Sequence, residues 1–323
     1  MGAGPEGGSP RGPAMTPLIA TLTLNPAVDM GCHAASVRPT HKVRTTMDRL
    51  DAGGGGVNVA RVLHALGCDT VALVVTGGIT GHLIEELLDE THVPWRAVHV
   101  PGRTRITLNI RDASTGLEWR FVPDGPAVAP EQRAAVLALL AETGAPWVVA
   151  SGSLPPGTPE TFYGDLAAAT AARGGKFVLD SSGPPLKAAE GRGIEVLKVS
   201  QSELEFLAGR QLPDQAQIRD AIAGLLRTGA AKTIAASLGR DGAVIASGAE
   251  MHALPALPVT VQSAVGAGDS FLAGLVAGLA GGMGLREALG WATATAAVSV
   301  SRFGTAQVDR AAVEEAYRQL TAA

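Results

Sequence analysis

Cysteine is almost missing from this chain: Cys32 and Cys68 are the two thiols among 323 residues. They are too few and too unpatterned for a disulfide framework or a cysteine-rich zinc site, and they fit a reducing, cytoplasmic home. The seven histidines are scattered without an HExxH-like pair, so the usual zinc-hydrolase signature is lacking. Charged residues make up only 17%, and a net charge of −4 offers no basic surface for nucleic acid or an anionic membrane. Long apolar runs are missing too. The most apolar window, "FLAGLVAGLAGGMG", follows directly on Asp269-Ser270 and is shorter than a bilayer span needs. It reads as a buried helix. Neither GxxxxGK[ST] nor a well-placed GxGxxG occurs, so Walker-type and Rossmann nucleotide sites lack their fingerprints.

What is present is a well-cored chain. Hydrophobic residues make up 46%, and a chain of this length buries roughly 75% of its unfolded surface. Residues 1–17, "MGAGPEGGSPRGPAMTP", are rich in glycine and proline and have no apolar h-region. They predict a disordered extension rather than a signal peptide, with Met15 a candidate start. Residues 18–323 are expected to form the folded domain.

Short apolar runs alternate with helical patterns along that domain. Strands are expected at Leu18–Leu24, Thr70–Val75, Trp147–Ser151, Phe177–Asp180, Val196–Val199, Thr233–Ser237 and Ala243–Ala246. Helices are expected near Val57–Leu66, Leu83–Glu90, Pro130–Leu140, Pro159–Arg173, Gln201–Ala208 and Gln215–Arg227, with Gly268–Ala322 largely helical. This alternation predicts an α/β fold: a doubly wound, mostly parallel sheet flanked by helices. Residues 26–50 and 104–123 break the rhythm with β-prone pieces such as "HKVRTTM", "TRITLNI" and "LEWRFV". They are expected to pair into a small sheet that serves as a lid or an oligomer contact, with a homodimer through this sheet as the expected assembly.

Four local patterns can carry chemistry. In "SAVGAGDSFLAG", Gly266, Ala267 and Gly268 lead into a helix with Asp269 at its mouth. Bare backbone N–H groups at the positive end of a helix suit a phosphoryl group, and the carboxylate beside them can take a proton from an attacking hydroxyl. An ordinary N-cap explains Asp269 equally well at this point. In "DAGGGGVNVARVLHALG", Gly53, Gly54, Gly55 and Gly56 precede a helix that carries Asn58. Such a run either holds a ligand against backbone or makes a tight turn. In "EVLKVSQSELEFL", Ser200 and Glu203 have capping-box spacing, while Glu203 could also hold Mg²⁺ through water. Asp180 ends a strand, where open α/β sheets place their ligands. Finally, Asp29, Lys42, Arg105 and Ser153 are polar residues at strand ends or in the β-prone pieces. Each alone reads as surface; together they fit a polar sugar-phosphate pocket.

In chain order, "TLTLNPAVD", "GGGGVNVARVLHALG", "GRTRITLNI", "SGSLPPG", "VLDSSG", "LKVSQSELE", "SLGRDGA" and "VGAGDSFLAG" resemble the motifs of the PfkB-type sugar kinases, in the ribokinase-like superfamily. The likeness runs from Leu18 to about residue 320 and points to the hexose-phosphate branch. That branch holds minor-isozyme 6-phosphofructokinases, 1-phosphofructokinases and tagatose-6-phosphate kinases. The resemblance implies ATP-dependent phosphorylation of a hexose phosphate in the cytoplasm. It makes Asp269 the base, with Gly266–Asp269 backbone amides as the anion hole. Asp29, Gly53–Gly56 and Asn58 would hold the sugar hydroxyls, and Lys42, Arg105 and Ser153 the existing phosphate. Lys198, Ser237 and Gly239 would line the ATP side, with Asp180 and Glu203 near Mg²⁺.

Two features depart from the family pattern. Ser200 stands where the family usually has asparagine, and Gly55 stands where 1-phosphofructokinases and tagatose-6-phosphate kinases typically carry lysine. The four glycines and "EWRFVPDGPAV" resemble the minor 6-phosphofructokinases, while "GRTRI" resembles the 1-phosphofructokinases. Fructose 6-phosphate is therefore the expected substrate, with fructose 1-phosphate and tagatose 6-phosphate as alternatives. A catalytically silent sugar-phosphate sensor is a further alternative from outside the enzymes.

Overall fold

Strand β1, Ile19–Thr23, is buried at every position and is an interior strand of the main sheet. A strand covered on both faces needs no alternation, which is why the interior strands appear as unbroken apolar runs. The computed structural model describes residues 16–302 and 304–322. Most of the expected 1–17 extension therefore lies outside the described residues.

Around β1, further strands of the main sheet run at β4 (Thr70–Thr76), β5 (Trp95–His99), β8 (Trp147–Ser151), β9 (Lys176–Asp180), β10 (Val196–Ser200), β11 (Thr233–Ser237), β12 (Ala243–Ser247) and β13 (Glu250–Leu254). Among the described residues the order is β13-β12-β11-β10-β9-β8-β1-β4-β5. Strands β5 to β11 in that order are parallel, and β12 and β13 close one edge antiparallel. This is the α/β ribokinase-like layout, with helices on both faces. One face packs Leu22, Phe177, Leu197 and Ile234 against Tyr163, Leu166 and Ile222. The other packs Ile19, Val149 and Ile245 against Val62, Leu275 and Trp291.

The helices are α1 (Gly55–Ala65), α2 (Gly78–Glu90), α3 (Pro130–Thr143), α4 (Phe162–Ala171), α5 (Gly183–Ala188), α6 (Gln201–Ala208), α7 (Gln215–Arg227), α8 (Ala267–Ala280), α9 (Leu285–Val300) and α10 (Arg310–Ala322). The apolar window lies in α8, buried from Ser270 to Gly278. Added Cβ atoms at Gly274 and Gly278 would crowd Thr295, Ala292 and Ala288 of α9. Small residues thus let the two helices cross closely. No helix among the described residues is long and apolar enough to cross a membrane.

Three elements are absent from the sequence expectations. Strands β5 and β13 lie at the sheet edges and are only partly buried, so neither shows a continuous apolar run. Helix α5 is six residues long and contains Pro184 and Pro185.

The β-prone pieces form a second sheet, ordered β3-β2-β6-β7. Its strands are β2 (Ala27–Ala34), β3 (Thr45–Gly53), β6 (Arg105–Asp112) and β7 (Glu118–Phe121). Strand β2 pairs antiparallel with β3 and parallel with β6, and β7 closes antiparallel on β6. The register aligns Asp29 with Asp51 and Thr107, and Asn109 with Arg120. Met30 aligns with Leu50 and Leu108, and Leu108 with Phe121. Side chains alternate across a strand, so one face of this sheet is polar and the other largely apolar.

Candidate active site

Parallel strands leave their C-terminal ends along one edge, and this edge collects polar residues. Ser151 ends β8 and is in register with Asp180 at the end of β9. Asp180 faces Lys198 on β10, and Ser200 faces Ser237 on β11. The polar face of the small sheet covers part of this edge and closes a cavity of about 360 Å³. The main domain contributes Gly54, Gly55, Asn58, Ser151, Asp180, Lys198, Glu203, Gly266, Gly268 and Asp269; the small sheet contributes Asp29, Arg105, Thr107 and Arg120.

Asp269 is not an N-cap. Helix α8 is capped by Gly266 in the left-handed region at φ 78°, with no side-chain cap hydrogen bond. Gly266 also has a packing reason to be bare, since a Cβ there would lie 2.8 Å from the Ala306 nitrogen. Asp269 sits inside the first turn and points its carboxylate across to other elements. Asn58 Nδ2 donates to Oδ2 at 2.8 Å, and Ser151 Oγ donates to Oδ1 at 3.4 Å. Enclosure raises the Asp269 pKa from 3.8 to about 6, with Asp180 adding to the rise while Asn58 and Lys198 oppose it. A carboxylate tuned close to neutrality is suited to accept a proton.

Asp180 and Lys198 form a buried ion pair, with Nζ at 3.0 and 3.2 Å from the two carboxylate oxygens. Burial works against the Lys198 ammonium, but the carboxylates of Asp180, Glu203 and Asp269 more than offset it, and its pKa lies above the ordinary value. A fixed positive charge therefore stands beside Asp269. Burial likewise raises the pKa of Asp29, whose carboxylate accepts a short hydrogen bond from Thr107. Burial lowers the Arg105 pKa against the pull of Asp29 and Asp124. Arg105 is anchored by Nη2 to the Asn25 carbonyl at 2.9 Å. Its Nε and the Asn58 Oδ1 are sealed from solvent without partners. Ser153 Oγ accepts from Asn25 Nδ2 at 3.2 Å beside them.

The glycine run is shaped first by the protein itself. A Cβ on Gly53 would overlap the Asp29 carboxylate, and one on Gly55 would overlap Ser151 Oγ. At Gly54 the φ of 112° is left-handed and a Cβ would lie 2.6 Å from Thr23 Cγ2. At Gly56 it would lie 2.5 Å from the Leu22 carbonyl. Bare backbone lets α1 start directly against β1 and β8, and only Gly54 and Gly55 line the cavity.

Several expected residues stand apart. Lys42 is exposed on the connection between β2 and β3 and does not line the cavity, nor do Gly53, Gly56 and Ala267. Ser237 and Gly239 lie further along the strand-end edge, outside it. Ser200 and Glu203 form a reciprocal capping box: the Ser200 N–H donates to Glu203 Oε2 at 2.7 Å and the Glu203 N–H to Ser200 Oγ at 3.3 Å. No group of three or more histidine, cysteine or acidic side chains able to hold a metal occurs among the described residues. Conversely, Thr107, Arg120 and Ser151 line the cavity without having been singled out. The signal for Arg120 was a lone cation between Trp119 and Phe121, where strand alternation turns it away from its apolar neighbours.

A strand-end cavity roofed by a polar sheet, with a carboxylate in the first turn of a glycine-capped helix, defines a sugar-kinase architecture. The sequence pattern of the pfkB family carbohydrate kinases matches residues 27–311. This chain belongs to that family, and its activity is that of a phosphotransferase with a hydroxyl acceptor. It is 36% identical over 300 residues to the ATP-dependent 6-phosphofructokinase isozyme 2 of Mycobacterium tuberculosis, covering 92% of this chain and 88% of the relative. It is 34% identical over 290 residues to the Escherichia coli enzyme of that name, covering 89% and 94%. The crystal structure of E. coli phosphofructokinase-2 with fructose-6-phosphate superposes at a TM-score of 0.89, with 31% identity, covering 94% of this chain and 99% of that one.

One expectation is corrected here. A simple homodimer through the small sheet does not stand, because E. coli phosphofructokinase-2, at a TM-score of 0.89, has a tetrameric inhibited form. β-prone segments reveal that a sheet exists. They do not reveal an assembly, although the sheet's apolar face leaves Trp119 and Phe121 exposed.

Proposed function

We propose that this protein transfers the γ-phosphoryl group of ATP to a hydroxyl of fructose 6-phosphate, yielding fructose 1,6-bisphosphate and ADP. The observation that carries the reading is one polar cavity with Asp269 and the Gly266–Gly268 turn in its floor and two arginines, Arg105 and Arg120, in its roof. Such a cavity suits a substrate that reacts at one end and is already phosphorylated at the other. The names of the M. tuberculosis and E. coli relatives support the same substrate.

In this reading Arg105, Arg120 and Ser153 hold the existing phosphate, with charge-assisted bonds that do not change during reaction. Asp29, Asn58 and the Gly54–Gly55 backbone hold the sugar hydroxyls. Asp269 takes the proton of the attacking hydroxyl as its oxygen bonds to the γ-phosphorus and the bond to ADP breaks. The amides of Gly266, Ala267 and Gly268, with Lys198, meet the charge on the transferred group. The nucleotide lies along the strand-end edge toward Ser237 and Gly239. The small sheet acts as a lid that keeps water from the phosphoryl group.

Magnesium would be accepted here as an ion that keeps most of its waters. Asp180 and Glu203 would hold it through water, since Lys198 and the capping box already occupy part of their oxygens. When bound, the ion neutralises phosphate charge.

A second reading, 1-phosphofructokinase, is favoured by a 33% identity over 296 residues to the Rhodobacter capsulatus enzyme of that name. Coupled ADP-release kinetics with fructose 6-phosphate, fructose 1-phosphate and tagatose 6-phosphate separate the readings. The expected outcome is the highest kcat/KM for fructose 6-phosphate. A value far below that for either other sugar overturns the choice of substrate.

A further inference from the structure

A second cavity, of about 330 Å³, lies between β3, α1, the end of α2 and residues 306–308. It shares no lining residue with the first. Its most unusual feature is Arg61. This arginine lies on α1 and is partly exposed, yet its Nη1 is sealed from solvent without a hydrogen-bond partner. Among the described residues no carboxylate ion-pairs with it. The neighbouring Asp51 is already engaged by Arg49 Nε at 3.2 Å, and Arg49 is in turn fixed to Thr305 Oγ1 at 3.1 Å.

A sealed N–H without a partner on a partly buried guanidinium costs free energy, and burial lowers the Arg61 pKa against the pull of Asp51. A ligand anion can satisfy both that N–H and the charge. The remaining walls narrow what can. Glu90 and Asp51 present carboxylates, and His64, Thr91 and Gln307 add further polar groups. Two carboxylates repel a nucleotide or a bisphosphate, whereas they accept hydrogen bonds from hydroxyl groups. We propose that this cavity binds a small monoanionic hydroxycarboxylate, with its carboxylate on Arg61 and its hydroxyl donors turned to Asp51 and Glu90.

Isothermal titration calorimetry of the full chain with glycerate, acetate and malonate tests this. Glycerate should bind saturably at one site per chain, with a Kd of about 1 mM for an anion of this size. Acetate, which lacks the hydroxyls, should bind about fivefold more weakly. Arg61→Met should weaken glycerate binding at least about tenfold, the loss of one charge-assisted contact, with an unchanged or raised Tm because an unpaired charge has been removed. Arg105→Met should leave glycerate binding intact. Four results overturn the proposal: no saturable binding by the parent, equal binding by Arg61→Met, loss in Arg105→Met instead, or malonate binding more tightly than glycerate. If Arg61→Met does not fold, Arg61→Gln supports the same comparison, since it also removes the charge.

Discussion

Asn58 Nδ2 and Asp269 Oδ2 are 2.8 Å apart although 211 residues separate them in sequence. The bond ties the first helix after the glycine run to the first turn of α8, so the two most glycine-rich motifs meet at one carboxylate. Its other oxygen accepts from Ser151 at 3.4 Å. The carboxylate is therefore held in one orientation before any substrate arrives, the positioning on which phosphoryl transfer depends.

The raised Asp269 pKa, about 6, has consequences for rate and for stability. As a base, Asp269 must be ionised, so kcat should climb as pH rises through about 6 and level off above it. For stability the sign is reversed. Below 3.8 the acid is protonated in both folded and unfolded chains and costs nothing. As pH rises to about 6 the unfolded chain ionises first, and folding loses stability that it does not regain above that pH. Asp269→Asn should lower kcat by about 10²–10⁴-fold. It should also raise Tm at pH 8, by an amount worth at most about 3 kcal/mol, with the gain vanishing near pH 4. Steady-state kinetics and thermal denaturation across this range check both signs.

Asn58 and Ser151 each lower the Asp269 pKa through a hydrogen bond, Asn58 the more strongly. Asn58→Ala should move the acid limb of the kcat profile upward by about one unit, the worth of a charged hydrogen bond. Ser151→Ala should move it less. A purely structural role for either residue would lower Tm while leaving the limb in place. The pH–rate profile of each variant distinguishes the two.

Arg120 is exposed on the edge strand of the small sheet and contacts Asn109 Oδ1 through Nε at 3.2 Å. Its guanidinium lines the cavity roof without a carboxylate partner among the described residues. Arg120→Met should raise KM for fructose 6-phosphate about 10–100-fold, the worth of a charge-assisted contact, with kcat and the KM for ATP changed far less. Titration of both substrates against this variant provides the check. Equal losses in both KM values would remove Arg120 from the sugar-phosphate end.

The residues that sequence reasoning found and missed divide along physical lines. Gly266, Asp269, Asn58 and the strand-end residues Asp180 and Lys198 belong to local strand-to-helix turns, where composition and spacing carry the signal. Ser151, Thr107 and Arg120 become site residues only through pairing: Ser151 with Asp180, Thr107 with Asp29, Arg120 with Asn109. Register between distant strands is not visible in any one window. The sheet order was legible as a class but not as a sequence of neighbours, because edge strands such as β5 and β13 lack the two-sided burial that marks the interior ones. The glycine run illustrates a third case. Its composition pointed to close approach, and the partners turn out to be Asp29, Thr23, Ser151 and Leu22, before any ligand.

That crowding reframes Gly55, where the family resemblance implies lysine in kinases of other substrate preference. A Cβ on Gly55 would overlap Ser151 Oγ and lie 3.0 Å from the Ser151 Cβ and carbonyl carbon, so Gly55→Lys alone must displace the serine that also bonds Asp269. The single variant should lose activity toward every sugar, with a lower Tm and an acid limb shifted as in Ser151→Ala. Adding Ser151→Gly removes both side-chain obstacles and should restore Tm in part, giving a coupling energy of about 0.5–3 kcal/mol between the two sites. In the double variant only the backbone carbonyl carbon at 3.0 Å still has to give way, and preference should move from fructose 6-phosphate toward fructose 1-phosphate or tagatose 6-phosphate. A thermal-denaturation double-mutant cycle measures the coupling, and kcat/KM ratios for the three sugars measure the preference. If the double variant regains stability while its sugar ratios equal those of the parent, Gly55 serves loop packing alone and substrate choice lies with the arginines of the roof.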